Sequence, residues 1–316
     1  MTLSLLACSS PPLAPCPVAV PVPAGLERTV TQRTGVGGIQ LSVQRWRDPA
    51  HPPRATLVLV HGLKDHGDHY AEFSARLAQQ GVQVVAADLR GHGRSGGERV
   101  WIEQFGEYLD DTAALIGEVV AEAPQRPVFL FGHSMGGAIA TLTLLDKKPA
   151  IAGLILSAPA LVPGADVSGF LIGVTKAIAS IAPHSAVLDL PDDKFSRDPK
   201  VVAGMACDPL IDHEKGPART AAELLRAMAR IESRMAEVSV PVLALHGTAD
   251  VVTNPEGSKQ LIAKAKSTDK TLKEFPGLYH DLWHEPEHAQ VEDAALTWLA
   301  AHIGAELPAA STPAGK

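Results

Sequence analysis

Five residues near the middle of the chain could place a serine nucleophile in a tight turn: Gly132-His133-Ser134-Met135-Gly136. An apolar run over residues 128–131 precedes this turn, and apolar residues at helical spacing follow it. The order of strand, turn and helix is typical of the G-x-S-x-G pattern, in which a strained turn exposes the serine hydroxyl. Small residues are needed beside the serine because the turn and the helix approach each other closely. We therefore predict Ser134 as a nucleophile.

Two later loops provide the groups that would activate this serine. A serine hydroxyl becomes reactive when a base removes its proton and a carboxylate orients that base. Asp250 follows the predicted strand 242–245, and His280 follows the predicted strand 271–275. Each lies in the first loop after its strand, where the sites of open α/β sheets lie. Alone, either would be interpreted as an ordinary loop residue, but together they predict the triad Ser134, Asp250 and His280.

Acyl transfer also needs hydrogen-bond donors for the negatively charged oxygen of its tetrahedral intermediate. We predict the backbone N–H of Met135, directly after the nucleophile, as one donor. The other predicted donor is the N–H of Leu63, in the loop that follows the predicted strand 56–60.

Three further patterns suggest other chemistries. Residues 91–96 match G-x-G-x-x-G, but a loop follows them instead of the required helix, so we interpret them as a structural turn. Residues 280–284 imitate H-E-x-x-H, but prolines on both sides leave too little room for a helix. A cluster of histidines and acidic residues is interpreted as a polar pocket rim rather than a metal site: His61, Asp65, His66, Asp68 and His69. No metal is predicted.

The elements that must position these residues alternate along the chain. After a predicted hairpin over residues 28–46, short buried strands alternate with amphipathic helices of about a dozen residues. Strands are predicted at residues 56–60, 82–87, 128–131, 151–157, 242–245 and 271–275. Helices are predicted at residues 70–80, 105–120, 256–265 and 290–303, and after Ser134. This alternation predicts the α/β class, with a mostly parallel sheet covered by helices on both faces.

The alternation is interrupted between residues 163 and 236. This segment, called the insertion below, has helical patterns at residues 170–181 and 221–235 but no convincing strand. We predict it as a helical cap on a core formed by residues 26–162 and 237–305. Residues 1–25 and 306–316 are predicted as disordered tails because they are rich in proline and small residues.

Composition excludes some classes of function. The formal net charge is −7, which gives no basic surface for nucleic acid. No apolar stretch reaches the roughly 20 residues of a membrane-spanning helix. The sequence Leu5-Leu6-Ala7-Cys8 resembles a bacterial lipoprotein cleavage site, although only seven residues precede the cysteine and none is basic. Two localisations stay open: the bacterial cell envelope, with a lipid anchor on Cys8, or the cytoplasm.

Several segments together resemble the monoacylglycerol lipase and lysophospholipase group of the α/β-hydrolases. The resemblance extends over about residues 40–303. The segments that carry it are Val60-His61-Gly62 with His66 and Tyr70, Asp88-Leu89-Arg90-Gly91-His92-Gly93-Arg94-Ser95, Gly132-His133-Ser134-Met135-Gly136-Gly137, Asp208-Pro209-Leu210, Leu245-His246-Gly247-Thr248-Ala249-Asp250, and Asp269-Lys270-Thr271-Leu272-Lys273 through Tyr279-His280.

This resemblance implies hydrolysis of monoacylglycerols or related lipid esters, with water as second substrate and without a metal or cofactor. It also implies a cap that admits the acyl chain and contacts lipid surfaces through its first helix. The residues expected to bind substrate are Asp65, His66, His133, Phe170, Ile178 and His284. The apolar residues among them could instead only pack the cap onto the sheet.

The chain departs from the family pattern near the expected headgroup pocket. Lys64-Asp65-His66 stands where the family often has Gly-Glu-His, and His69 stands where the family has an arginine. The residues after His280 differ from the family spacing by about one position. The headgroup preference is therefore open.

Other functions share parts of these patterns. A proline-iminopeptidase-like amidase or a short-chain carboxylesterase would use the same triad, and a non-catalytic lipid-binding protein could share the fold. Epoxide hydrolases and haloalkane dehalogenases use an aspartate nucleophile, so Ser134 argues against them.

Overall fold

The computed structural model describes residues 20–164 and 169–303, and of Phe170 only the backbone. Most of the predicted tail 1–25, with Cys8, and the predicted tail 306–316 lie outside these residues. None of the described helices is both long and apolar enough to cross a bilayer.

One eight-stranded sheet forms the centre of the fold, in the order β1-β2-β4-β3-β5-β6-β9-β10. The first two strands form the predicted antiparallel hairpin, β2 pairs antiparallel with β4, and all later pairs are parallel. The strands are β1 (Glu27–Thr34), β2 (Gln40–Arg47), β3 (Ala55–Val60), β4 (Val82–Ala87), β5 (Val128–His133), β6 (Gly153–Ser157), β9 (Val242–Gly247) and β10 (Lys270–Phe275). The predicted α/β-hydrolase architecture with a mostly parallel sheet is confirmed.

Helices cover both faces of this sheet. The helices outside the insertion are α1 (Ala71–Gln79), α2 (Gly106–Glu122), α3 (Met135–Lys147), α7 (Pro255–Lys264) and α8 (His288–His302). Phe73 of α1 and Trp298 of α8 belong to one apolar cluster, while Leu109 of α2 and Ile139 of α3 belong to another. Because both faces are covered, every residue of β3, β5, β6 and β9 is buried, which explains their unbroken apolar runs.

The insertion lies between β6 and β9. It contains α4 (Gly169–Ile181), β7 (Ala186–Leu188), α5 (Pro199–Cys207), β8 (Gly216–Pro217) and α6 (Ala218–Arg234). The expectation that the insertion has no strand is wrong, because β7 and β8 pair antiparallel. With three and two residues, these strands are too short to show the alternation that identifies a strand.

Helix α6 connects the insertion to the core. Its Ala227 and Ile231 are buried in the same apolar cluster as α3. Arg234 also pairs with Asp146 of α3 at 2.6 Å. In contrast, α4 packs on α6 through a small cluster of alanines, with Ala179 on one helix and Ala218 and Ala222 on the other. Helix α6 therefore fixes one side of the insertion to the core, and Arg197 fixes another through the buried Glu285.

Candidate active site

Ser134 lies in the turn between β5 and α3, with backbone angles φ 54° and ψ −122°. Positive φ is rare for a residue with a side chain and costs free energy, so the surrounding structure must hold the turn in place. The glycines beside it have no room for a side chain. A Cβ atom on Gly132 would lie 2.3 Å from the carbonyl oxygen of Gly136, and one on Gly136 would lie 2.2 Å from that of Val60.

The side chains of Ser134, His280 and Asp250 form a hydrogen-bonded chain. His280 Nε2 is 2.9 Å from Ser134 Oγ, and His280 Nδ1 is 2.8 Å from Asp250 Oδ2. An ionised carboxylate only accepts, so Nδ1–H donates to Asp250 and Nε2 is free to accept from the serine hydroxyl. This is the geometry that a serine nucleophile with a histidine base requires.

Asp250 is held in place by its own loop. Its Oδ1 accepts hydrogen bonds from the N–H groups of Val252 (2.8 Å) and Thr253 (3.0 Å). Burial alone would raise the pKa of Asp250, but the charges of His280 and His246 and the hydrogen bonds from both outweigh it and hold the pKa well below its usual value. The carboxylate is therefore ionised at neutral pH.

A second histidine contacts the same carboxylate, and the sequence analysis assigned it no role. His246 Nε2 is 3.1 Å from Asp250 Oδ2, and its Nδ1 is 2.7 Å from Ser258 Oγ. His246 is completely buried. Its position four residues before Asp250, at the end of the same strand, is a signal that could have identified it.

The loop after β3 packs directly against the serine turn. A Cβ atom on Gly62 would lie 3.1 Å from Ser134 Cβ. The buried ring of His61 fixes this loop, because it accepts from the N–H of Leu89 (2.8 Å) and donates to the carbonyl of Gly62 (2.8 Å). Among the described residues, the N–H groups of Leu63 and Met135 donate to no other protein group.

Asp65 holds the same loop from the other side. Its Oδ2 accepts from the N–H of Gly62 (3.0 Å) and from the hydroxyl of Tyr70 (2.7 Å). Its Oδ1 accepts from the N–H of His66 and from His69 Nδ1, both at 2.7 Å. With four donors, the carboxylate has no lone pair free for a substrate, so its contacts are those of a residue that positions the loop.

A small cavity opens beside Ser134. Its lining residues are Gly62, Leu63, Lys64, Asp65, His69, Tyr70, His133, Ser134, Phe195, Met205, Asp281 and His284. Ser134 and the loop of Leu63, one of the two predicted oxyanion donors, therefore face the same space.

His133 and His284, two of the predicted substrate-binding residues, line this cavity. The His133 ring lies 4.9 Å from that of His280, and burial lowers its pKa to about 4, so it is neutral at pH 7. His284 Nδ1 lies 2.8 Å from Asp281 Oδ2, and its Nε2 is 2.8 Å from the carbonyl oxygen of His69. Burial opposes the charge on His284, but Asp281 raises its pKa above the usual value.

Of the remaining predicted substrate-binding residues, Asp65 also lines the cavity, whereas Ile178 and His66 do not. Ile178 does not line the cavity and packs on the small α4–α6 cluster instead. His66 is 2% exposed and points to Asp208, outside the cavity lining. The side chain of Phe170 is outside the described part of the chain. Whether any of these residues contacts a substrate stays a prediction.

Two groups in the described residues could hold a metal ion. In the first, donor atoms of His66, His69 and Asp208 lie within 4.8 Å of one another, and in the second those of Glu72, His288 and Glu292 do so. Burial lowers the pKa of His69, but hydrogen bonds to Asp208 and Asp65 outweigh it and raise the pKa to about 10. From the sequence, His69 was interpreted as part of a polar pocket rim, and Asp208 was noted only within the family segment Asp208-Pro209-Leu210. The spacing His66-x-x-His69 was the available signal.

Comparison with known proteins identifies the family. The family described as serine aminopeptidase, S33, matches residues 51–287. A monoacylglycerol lipase of Mycolicibacterium smegmatis is 36% identical, over 85% of this chain and 96% of that protein. The human monoglyceride lipase is 32% identical, over 78% of this chain and 82% of that protein.

Structural comparison agrees with the sequence relatives. The crystal structure of Paleococcus ferrophilus monoacylglycerol lipase superposes with a TM-score of 0.74 at 31% identity, over 83% of this chain and 99% of that one. These matches extend over both the sheet and the insertion. The chain therefore belongs to the monoacylglycerol lipase-type serine hydrolases of the α/β-hydrolase superfamily.

Proposed function

We propose that this enzyme hydrolyses monoacylglycerols, and related lipid esters such as lysophospholipids, through an acyl-enzyme on Ser134. The observation that carries this proposal is the chain of hydrogen bonds from Ser134 through His280 to Asp250, at a cavity lined by both polar and apolar residues. The names of the curated relatives support the substrate class.

In the proposed mechanism, His280 acts first as a base. Its Nε2 accepts the proton of the Ser134 hydroxyl while Oγ attacks the ester carbonyl carbon. The carbonyl oxygen becomes an oxyanion, which the N–H groups of Leu63 and Met135 would bind. Loss of one such donor typically raises the barrier by about 3 kcal/mol.

His280 then acts as an acid. As the tetrahedral intermediate collapses, the bond to the alcohol oxygen breaks and the alcohol leaves with the proton from Nε2. Water attacks the acyl-enzyme in the same way, with His280 again as base, and releases the fatty acid and Ser134. Throughout, Asp250 keeps Nδ1 protonated and stabilises the imidazolium.

The walls of the cavity support a hydroxylated alcohol as leaving group. Lys64, His69, Asp281 and His284 place charged or polar atoms around a space that opens beside Ser134. Hydrogen bonds from such groups offset the loss of hydration that a glycerol headgroup undergoes on binding.

A peripheral contact with lipid surfaces is part of the proposal. In α4, apolar side chains are exposed at Leu171 (49%), Val174 (37%) and Ile181 (86%). An exposed apolar face on a helix of the insertion is suited to contact a membrane or micelle surface.

The test is turnover of a chain-length series of 1-monoacylglycerols beside short-chain esters and aminoacyl-amides. The amides are included because the matching family is described as serine aminopeptidases. Hydrolysis of the monoacylglycerols that is lost in Ser134→Ala supports the proposal. Ser233→Ala, on an exposed part of α6, is the matched control and should keep full activity.

Two results would overturn parts of the proposal. Turnover that persists in Ser134→Ala would reject this serine as the nucleophile. Activity on amides or short esters without activity on monoacylglycerols would keep the nucleophile and reject the substrate class.

A further inference from the structure

Outside the proposed triad, the densest group of metal-ligating side chains is His66, His69 and Asp208. The two histidines belong to the turn of 3-10 helix after β3, which includes residues Gly67–Tyr70, and Asp208 directly follows α5 of the insertion. From the geometry below, we infer that these three side chains form a zinc-binding site that joins the insertion to the core.

The donor atoms have the separations of a zinc site. Asp208 Oδ2 lies 3.0 Å from His66 Nε2 and 3.3 Å from His69 Nε2. Zinc binds nitrogen and oxygen at about 2.0–2.2 Å in tetrahedral geometry, which separates ligand atoms by about 3.3 Å. All three donor atoms lie within 4.8 Å of one another, so one ion could bind them after the side chains adjust. Three protein ligands leave a fourth position for water.

The ligand atoms are oriented by hydrogen bonds on their far sides. His69 Nδ1 is held at 2.7 Å by Asp65, which turns Nε2 toward Asp208. Asp208 Oδ1 accepts from the N–H of Leu210 at 2.7 Å, which leaves Oδ2 for the histidines. A carboxylate behind a ligating histidine is a common arrangement in metal sites, because it fixes the ring and makes the other nitrogen a better ligand.

The His66 ring is oriented toward Asp208. The residue is 2% exposed, its Nδ1 has no hydrogen-bond partner in the described part of the chain, and its ring centroid lies 4.0 Å from that of His69. Nε2, the atom that faces Asp208, is thus the nitrogen placed to bind an ion.

The charges around the cluster favour a divalent cation. Within the described ranges, Asp65 and Asp208 form ion pairs only with histidines and with no lysine or arginine. Metal binding releases the protons of its histidine ligands, and the two carboxylates then leave two negative charges, which one Zn²⁺ would balance. Imidazole nitrogens favour zinc over Mg²⁺ and Ca²⁺, which prefer sites made of oxygen ligands.

The proposed zinc site is accessible from solvent and lies beside the cavity at Ser134. The side chains of His69 and Asp208 are 23% and 17% exposed, so an ion can reach them from solvent. His69 also lines the cavity beside Ser134. A bound ion would therefore cross-link the insertion to the core at the edge of this cavity.

The experiment is a calorimetric titration of the metal-free full chain with Zn²⁺, without substrate. We expect one ion per chain and a rise in melting temperature, because the ion binds the folded state. His69→Arg, which introduces the residue of the family pattern, and Asp208→Asn should each weaken binding at least tenfold and abolish this rise. His288→Gln, in the second candidate group, is the control and should bind as the original chain does.

Three results would overturn the inference: no stoichiometric binding, unchanged binding in both ligand variants, or loss of binding in His288→Gln. Circular dichroism of each variant separates loss of a ligand from loss of the fold. Because the titration needs no turnover, its failure leaves the proposed ester hydrolysis untouched, and failure of ester hydrolysis leaves the zinc site untouched.

Discussion

The core and the insertion of this enzyme hold their residues in different ways. In the core, every residue of β3, β5 and β9 is buried, and the serine turn has no space for one added carbon atom. In the insertion, α5 has no buried residue, and among the described side chains of α4 only Ala179 is buried. Groups that must keep their distances to within tenths of an ångström thus lie on the tightly packed part. Helices α4 and α5 of the insertion have almost no buried side chain to hold them.

The largest expected effect comes from the core carboxylate. In Asp250→Asn, the amide can donate a hydrogen bond to His280, which favours the wrong tautomer of the base. We expect kcat to fall by about 10⁴ with the fold retained. Asp193→Asn, which removes a 65% exposed carboxylate of the insertion, should leave kcat unchanged in the same ester assay. An Asp250→Asn enzyme that kept a tenth of its activity would contradict the assigned role.

Two glycine-to-alanine substitutions compare the packing of the regions directly. Gly136→Ala would put Cβ 2.2 Å from the carbonyl oxygen of Val60, and we expect a loss of about 3 kcal/mol or more in the free energy of unfolding. A Cβ on Gly173 in α4 meets nothing within 4 Å. Gly173→Ala should stabilise the protein by about 0.5–1 kcal/mol, because alanine is the better helix former. Urea unfolding of both variants measures the difference, and equal changes would refute the contrast.

Substitutions at His246 test whether a core residue that contacts the triad carboxylate also contributes to the rate. In His246→Leu, Asp250 loses one donor, and we expect kcat/KM to fall about tenfold while KM changes little. His246→Gln can still donate from its amide and should restore most of the rate. A purely structural role predicts that both variants lose rate in proportion to stability. His184→Gln, at a 61% exposed side chain of the insertion, is the control.

The last prediction concerns the pH dependence of stability. Burial lowers the pKa of His92 to about 3, whereas a histidine of the unfolded chain titrates near 6.5. Below pH 6.5 the unfolded chain therefore binds a proton that the folded chain does not, and stability falls as the pH falls toward 3. The slope is about 1.4 kcal/mol per pH unit for each such group.

Urea unfolding between pH 7 and pH 5 checks this sign. His92→Phe should reduce the loss of stability in this range by about 1–2 kcal/mol, while His184→Gln should not change it. An identical slope in His92→Phe would show that other groups cause the loss.

The contrast between the core and the insertion also explains which contacts could be predicted from the sequence. Ser134 and His280 are 146 residues apart, yet their proximity was predictable because parallel strands bring their carboxyl ends to one edge of the sheet. No comparable rule applies to the insertion. His66 and Asp208 are 142 residues apart, and nothing in local periodicity places the end of α5 above the turn after β3.

Two features of the insertion carried weak local signals. Strands β7 and β8 are too short for periodicity to identify. Helix α5 begins with Asp198 as its N-cap and Pro199 in its first turn, a recognisable start, but it has no buried face to give an apolar pattern. Elements with few buried residues lack the apolar periodicity by which a sequence identifies helices and strands.

The positive φ of Ser134 also limits which amino acids could ever serve as nucleophile in this turn. Serine and cysteine carry one heavy atom on Cβ and can tolerate φ 54° when neighbours hold the turn. Threonine is branched at Cβ, which makes such a backbone angle much more costly. Threonine is therefore disfavoured by shape before its reactivity matters, although Val100 shows that a β-branched residue can adopt φ 56° in this fold. Over evolution, this turn would exchange oxygen for sulfur more readily than it would gain a methyl group.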